Sequence, residues 1–222
     1  MRRKDSAQVR IVDVPQSGCA DDGSVGSRQV AEVTMPRSEL DRIWSAEYLE
    51  RLAGTYWRFI TRVSLGVLRI RYTPDSREVV VFGRPFVLLR FKAPEYDIQP
   101  DGGAVTWRID RGLLVAPPGR GKGYLRIQVT RSPDDDGDSP EVTATVSSEV
   151  VSFYPTLAFG RAGRLISRFG RVLYSATQLR IHVIVTHAFL RSLAKMDLAP
   201  SVVGALRPAE QEESPARPVS PR

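Results

Sequence analysis

The pattern of hydrophobic and polar positions changes twice along the chain and divides it into three regions. From residue 56 to residue 153, hydrophobic residues recur at every second position and include many β-branched and aromatic types, a pattern typical of half-buried β-strands. After Pro155 the spacing changes to the helical period of about 3.6 residues. Before residue 56 a short strand-like run is followed by a helical pattern. This order predicts an α+β domain whose longest helix comes last.

The middle region predicts an antiparallel meander. Its strand-like runs are separated by short turn sequences rich in Pro, Gly and Asp, and short connections favour antiparallel over parallel pairing. We expect one curved sheet of about six or seven strands, with a bend or bulge at Gly66 inside the first long run. The predicted strands are residues 28–33, 57–72, 78–82, 86–98, 105–109, 124–130 and 142–153.

One or two short helices are predicted between the first strand and the meander. Ser38 is placed to act as the N-cap. The apolar face is interrupted near Ser45, so two helices fit as well as one, and Gly54 is the predicted end of the element. The apolar positions of this face are Leu40, Ile43, Trp44, Leu49 and Leu52.

The last region predicts a long, arginine-rich helix over residues 160–195. At about 100° per residue, its hydrophobic positions form one face suited to packing on a sheet, with a polar stripe beside it. A third sector is also apolar, so we expect a second partner: another chain in a homodimer, the early helices, or residues 202–206. The sheet-facing positions are Leu165, Phe169, Val172, Leu173, Ala176, Leu179, Val183 and Leu190; the polar stripe includes Arg161, Arg164, Arg168 and Arg171; the third sector contains Tyr174, Ile181, Val185 and Phe189.

Composition separates a folded region from two tails. Hydrophobic residues make up 42% of the 222-residue chain, which is enough to bury a core. Residues 1–28 are polar and rich in Gly, Ser and Asp, and residues 199–222 are rich in Pro and Glu, so we expect both tails to be disordered. The folded domain is expected at residues 29–198. No signal peptide or membrane span is indicated, and with Cys19 as the lone cysteine we expect a cytoplasmic protein.

The positive charge of the chain has two explanations. The formal net charge is +7, and arginines outnumber lysines 28 to 4. Such a skew is typical of a GC-rich genome, which is the explanation we favour. The alternative is a surface for nucleic acid or anionic lipid, formed by the stripe from Arg161 to Arg171.

The sequence of residues 29–52, QVAEVTMPRSELDRIWSAEYLERL, resembles the opening of the START-like superfamily, which includes polyketide cyclases and Bet v 1-type proteins. In that opening a strand ends at a small residue and Pro, and the next helix carries an aliphatic-Trp pair, here Ile43-Trp44. The chain departs from this pattern in two ways: it has about one residue fewer between Trp44 and the next helix, and its closing helix is unusually basic. The resemblance implies a helix-grip fold, a curved antiparallel sheet that grips a long C-terminal helix, and a cavity for a hydrophobic molecule between them.

Five residues are candidate ligand contacts. If the closing helix lines a cavity, Arg180 and His187 can hold an anionic or carbonyl group and exchange a proton. Glu149, inside the last predicted strand, is the natural carboxylate partner of Arg180. Trp107 and Tyr124 are amphipathic aromatics suited to a pocket wall. Each also has a structural explanation, as a hydrogen-bonded core histidine, an ion pair or core filling.

Three functions stay open at this point. We favour binding of a hydrophobic or aromatic small molecule, without a cofactor. The second hypothesis is a cyclase-like or hydratase-like enzyme on the same scaffold, with His187 as acid or base and Arg180 orienting the substrate. The third is a polyanion-binding or regulatory module using the Arg161 to Arg171 stripe. No metal site is expected, because His182 and His187, the only histidines, point about 140° apart on a helix.

Overall fold

The computed structural model describes residues 7–12, 16–43, 46–82, 86–132, 138–156, 189–190 and 193. Ten strands form one antiparallel sheet, and two helices lie between the third and fourth strands. The elements are β1 (Gln8–Ile11), β2 (Gln16–Cys19), β3 (Val25–Pro36), α1 (Arg37–Ile43), α2 (Ala46–Val63), β4 (Leu68–Thr73), β5 (Ser76–Val81), β6 (Val87–Lys92), β7 (Glu95–Gln99), β8 (Gly102–Arg111), β9 (Tyr124–Arg131) and β10 (Glu141–Phe153).

The strand order across the sheet is β1-β3-β10-β9-β8-β6-β5-β4. Strand β2 pairs with the first part of β3, and β1 with its later part. Strand β8 is divided in the same way, since its first half pairs with β7 and its end pairs with β6. The antiparallel α+β class is therefore confirmed, with a strand, a helix pair and a meander in the predicted order.

The closing helix predicted at residues 160–195 lies outside the described residues except at three positions. Phe189, Leu190 and Leu193 are all buried. Residues 189–190 are helical. Burial of Leu190 agrees with its predicted place on the sheet-facing side. The predicted C-terminal tail, residues 199–222, also lies outside the described part.

The sheet has more strands than the six or seven that we expected, partly because the N-terminal segment is not a disordered tail where the structure describes it. In β1, Gln8 to Ile11 pair with Thr34 to Ala31, and the Arg10 Nε donates to Glu32 Oε2 at 3.1 Å. Without β1 and β2, the long strand β3 would present an unpaired edge. In residues 9–12 (VRIV), apolar and polar residues alternate only from Val9 to Ile11, and such a short run gives a weak strand pattern.

Helix α2 is longer than predicted. We expected it to end at Gly54 and a strand to begin at residue 57, but the helix continues to Val63. The aromatic and β-branched residues of this segment favour a strand by propensity, while their spacing continues the apolar helix face. Packing overrides propensity here: Leu49, Leu52, Tyr56 and Trp57 are all buried.

A Schellman motif ends α2 and accounts for Gly66, which we had expected to mark a bulge. The Gly66 N–H donates to Thr61 O at 2.8 Å, and the Leu65 N–H donates to Arg62 O at 3.1 Å. The residue with left-handed backbone that this cap requires is usually glycine, yet here it is Leu65, with φ of 51°. A non-glycine residue in this conformation costs about 1–2 kcal/mol.

Candidate functional site

The two faces of the sheet can be assigned from the strand register. On one face, called the inner face below, Trp107 lies opposite Leu125, Ile127 opposite Ser148, and Ser148 opposite Gln29. Helix α2 packs on this face, because Trp57 contacts Trp107 with ring centroids 5.2 Å apart and an interplanar angle of 77°. The inner face is therefore the side of the sheet on which the core lies.

An aromatic cluster occupies the α2 side of the inner face. Trp57 also contacts Phe91 of β6, with centroids 5.2 Å apart. Tyr56 meets Phe189 edge to face at 5.6 Å. Edge-to-face geometry is favoured between aromatic rings. The contact brings the described end of the C-terminal region against α2.

Unpaired polar atoms lie among these apolar side chains. Within the described part of the chain, Gln29 Oε1, Ser148 Oγ, Trp57 Nε1 and Trp107 Nε1 are buried without a hydrogen-bond partner. The other end of the Gln29 amide is satisfied, because Nε2 donates to Ser27 Oγ at 3.1 Å. A buried polar group without a partner costs about 1–3 kcal/mol. Three of these groups lie on the inner face and the fourth, Trp57 Nε1, lies on the helix packed against it, so together they need a functional or solvent explanation.

Gln29 and Ser148 form the polar centre of the inner face, called the Gln29–Ser148 pair below. They are directly opposed on β3 and β10, so their Cβ atoms are about 4.5–5.5 Å apart. Both side chains are 0% exposed. The pair offers one carbonyl acceptor and one hydroxyl, which can donate or accept.

A second polar group lies at the β4–β5 side of the same face. Arg77 is buried, and its Nη1 donates to Thr73 O at 2.7 Å and Ser76 O at 3.0 Å. Its Cζ lies 5.2 Å from the centroid of the Tyr72 ring. Burial raises the pKa of Tyr72, the charge of Arg77 opposes that rise, and the charge of Glu50 adds to it. Tyr72 is therefore a neutral hydrogen-bonding group at ordinary pH.

The three predicted site residues that the structure describes, Trp107, Tyr124 and Glu149, do not come together. Trp107 is on the inner face, whereas Tyr124 lies opposite Arg108 and Glu149 lies opposite Arg126. Alternation along a strand places these positions on the outer face. Tyr124 and Glu149 therefore cannot line a cavity that Trp107 faces.

Glu149 has partners of its own on the outer face. Arg126 Nη1 lies 3.7 Å from Glu149 Oε1, and the Tyr124 hydroxyl donates to the same oxygen at 3.4 Å. Burial and the charge of Glu149 raise the pKa of Tyr124. The partner shown for Glu149 is therefore Arg126, and the predicted partner Arg180 lies outside the described residues.

Several predictions fall outside the described part of the chain. His187, the stripe from Arg161 to Arg171, and Tyr174, Ile181 and Val185 of the third sector all lie there, so enzyme chemistry and polyanion binding through them stay predictions. Phe189 of the third sector is described and is buried against Tyr56. For Phe189 the partner is therefore the early helix α2, and its buried side chain is not available to a second copy of the chain.

Gln29, Ser148 and Arg77 were missed by sequence reasoning. They could have been found by noting which polar residues fall at the alternate positions that the apolar residues of the same strand occupy. Gln29 is in phase with Ala31 and Val33, and Ser148 with Ala144 and Val146, all of which are buried. A polar residue in phase with the apolar face of a strand is a candidate inward-facing group.

The inner face offers neutral hydrogen-bonding groups and aromatic contacts, with the cation of Arg77 at its β4–β5 side. In the described ranges, no group of three or more His, Cys, Asp or Glu side chains is placed to hold a metal ion. Among the described helices, none is long and apolar enough to cross a membrane.

Comparisons with known proteins give distant structural likeness. No family model matches the sequence, and no curated protein matches it. CalU16 of Micromonospora echinospora has 10% identity and a TM-score of 0.26, over 84% of this chain and 98% of its own. Human STARD10 has 7% identity and a TM-score of 0.27, over 87% and 82%. A protein from Arthrobacter aurescens has 12% identity and a TM-score of 0.28, over 78% and 91%. The α+β class of the protein is established by the order and pairing of its own strands.

Proposed function

We propose that this protein binds a hydrophobic or aromatic small molecule between the inner face and the predicted helix at residues 160–195. The observation that carries the proposal is the set of buried, unpaired polar atoms at Gln29, Ser148 and Trp107. A core selected for stability alone would replace such groups by apolar ones, because that change is neutral or stabilising. Their retention in an apolar surface is typical of a binding site, where a few polar groups orient an apolar ligand.

The arrangement favours a particular kind of ligand. The indole N–H of Trp107 can only donate, Gln29 Oε1 can only accept, and Ser148 Oγ can do either. Strands are about 4.8 Å apart and residues rise about 3.3 Å each, so Trp107 and Ser148, two strands and two residues apart, are separated by about 12 Å at Cα. A ligand bridging both ends would have an apolar or aromatic body with polar atoms at two edges.

A dye titration with matched variants tests the proposal. The probe is anilinonaphthalene sulfonate, a fluorescent aromatic anion, added to the full chain. The variants Ser148→Ala and Gln29→Met change the Gln29–Ser148 pair. The controls are Ser147→Ala and Gln128→Met, because Ser147 and Gln128 are likewise opposed on neighbouring strands but lie on the outer face.

We expect saturable dye binding by the wild type. The affinity should fall about fivefold or more in the inner-face variants, because each variant loses one to two hydrogen bonds to the bound ligand. The controls should bind as the wild type does. Equal affinity in all four variants, or absence of saturable binding in the wild type, would contradict the proposal. A repeat in the Phe82→Ser background measures how much of the dye binds at the exposed Phe82 side chain instead of the inner face.

A further inference from the structure

Exposed hydrophobic side chains gather at one end of the sheet. Leu65 is 92% exposed and Phe82 is 60% exposed, and Val67, Phe86 and Leu113 are exposed as well. Backbone hydrogen bonds show that they are neighbours: the Phe82 N–H donates to Val67 O, and the Leu113 N–H donates to Val87 O, next to Phe86. We call Leu65, Val67, Phe82, Phe86 and Leu113 the apolar tip. Contiguous exposed apolar surface on a protein commonly marks an interaction site.

Leu65 is the most informative member of the apolar tip. It occupies the left-handed position of the cap of α2, where glycine fits without strain. Its side chain is almost wholly in water, so it gains little from packing within the chain. The backbone strain at Leu65 therefore has no compensating gain from packing, which points to a role outside the folding of this chain.

Cationic side chains surround the apolar tip. Arg69 Cζ lies 4.1 Å from the centroid of the Phe82 ring, and Arg62 and Arg111 are exposed. Residues 51–74, 86–94 and 111–123, which supply four of the five tip residues, contain no Asp or Glu. The carboxylate of Asp110, at the end of β8, lies 3.7 Å from both Arg90 and Arg111.

We propose that the apolar tip docks on an anionic membrane surface. Its hydrophobic side chains insert at the boundary between headgroups and acyl chains, and Arg62, Arg69 and Arg111 contact anionic headgroups. Apolar insertion and electrostatic attraction act together in this mode of binding, and each basic residue near an anionic surface adds to the affinity. This proposal is independent of the proposed small-molecule site on the inner face.

Co-sedimentation of the full chain with vesicles is the test. One vesicle contains phosphatidylcholine alone, and the other contains about 30 mol% phosphatidylserine, comparable to an anionic leaflet. The variants are Leu65→Gly, which also removes backbone strain, and Phe82→Ser. Ile98→Ser is the control, because Ile98 is exposed on β7, at the opposite end of the sheet.

We expect binding to the phosphatidylserine vesicles only, weakening as salt rises, and reduced about tenfold by either tip variant, as expected for loss of one buried hydrophobic side chain. The control should bind like the wild type. Absence of binding, or equal binding by Leu65→Gly and Phe82→Ser, would overturn the proposal. It would also be overturned by wild-type dimerisation in sedimentation velocity that Phe82→Ser abolishes, since a second copy would then cover the tip.

Discussion

Ser147 and Ser148 are adjacent serines on β10 that lie in opposite environments. Ser148 faces the apolar side of the sheet between Gln29 and Ile127 and has no hydrogen-bond partner in the described part of the chain. Ser147 lies between Val30 and Gln128 on the outer face. The residues of the inner face could be predicted from alternation once the strands were known. Their lack of partners could not, because it depends on contacts between strands distant in sequence.

Ser148→Ala should raise the free energy of unfolding of the ligand-free protein by about 1 kcal/mol, because it removes a buried hydroxyl without a partner. The measurement is chemical denaturation followed by circular dichroism. Ser147→Ala is the matched control and should give no such gain. If Ser148→Ala instead lowers the free energy of unfolding by about 1 kcal/mol, the Ser148 hydroxyl is a structural group.

Asp22 should contribute stability that depends on pH. Its carboxylate accepts a hydrogen bond from the Tyr154 hydroxyl at 2.6 Å and one from the Ser24 N–H at 2.9 Å. These bonds lower the pKa of Asp22 from 3.8 to about 2. A lowered pKa means that the stabilisation is complete above the unfolded value and is lost as pH falls toward the folded value.

Asp22→Asn should therefore lower the unfolding midpoint at neutral pH, and the difference from the wild type should shrink as pH falls from about 4 to about 2. Thermal unfolding at a series of pH values gives the comparison. The exposed neighbour variant Asp21→Asn is the control. A difference for Asp22→Asn that is constant across this range would assign the effect to something other than the charge of Asp22.

The elements differ in how far the sequence determines them. Strands β8, β9 and β10 were predicted within a few residues, because long alternation and Pro- and Gly-rich turns fix them. Helix α2 was cut short, since the aromatic residues after Gly54 have strand propensity and only the tertiary contact of Trp57 with Trp107 decides the outcome. The short strands β1 and β2 depend on pairing with β3, which no local pattern reports.

Leu65→Gly should stabilise the cap of α2 by about 1 kcal/mol, because glycine adopts the left-handed conformation without the steric cost of a Cβ atom. Gly66→Ala should instead lower the stability, because φ is +80° at Gly66 and alanine is strained in this conformation. The added Cβ would meet no other atom within 4 Å, so the backbone strain alone decides the sign. Thermal unfolding of the two variants checks both signs. Destabilisation by Leu65→Gly would mean that the side chain supports the fold, and would remove the reason for assigning it an external partner.

At the scale of the whole molecule, the sheet separates two kinds of chemistry. The outer face carries ion pairs, including Arg108 Nε to Glu95 Oε1 at 2.8 Å and the Arg126 contact with Glu149. The inner face carries the aromatic cluster and the Gln29–Ser148 pair. Composition and alternation could predict a sheet with one polar and one apolar side. Tyr124 and Glu149 were predicted to share a site with Trp107. The strand pairing, which the sequence pattern does not give, puts them on the opposite face of the sheet.

Native mass spectrometry of the full chain, purified from its own host, tests most directly whether the inner face binds a small molecule. We expect the wild type and the Ser147→Ala control to retain a small molecule that the Gln29→Met/Ser148→Ala double variant loses. A wild-type protein that carries no bound molecule, or a double variant that retains the same molecule to the same extent, would contradict binding at the inner face.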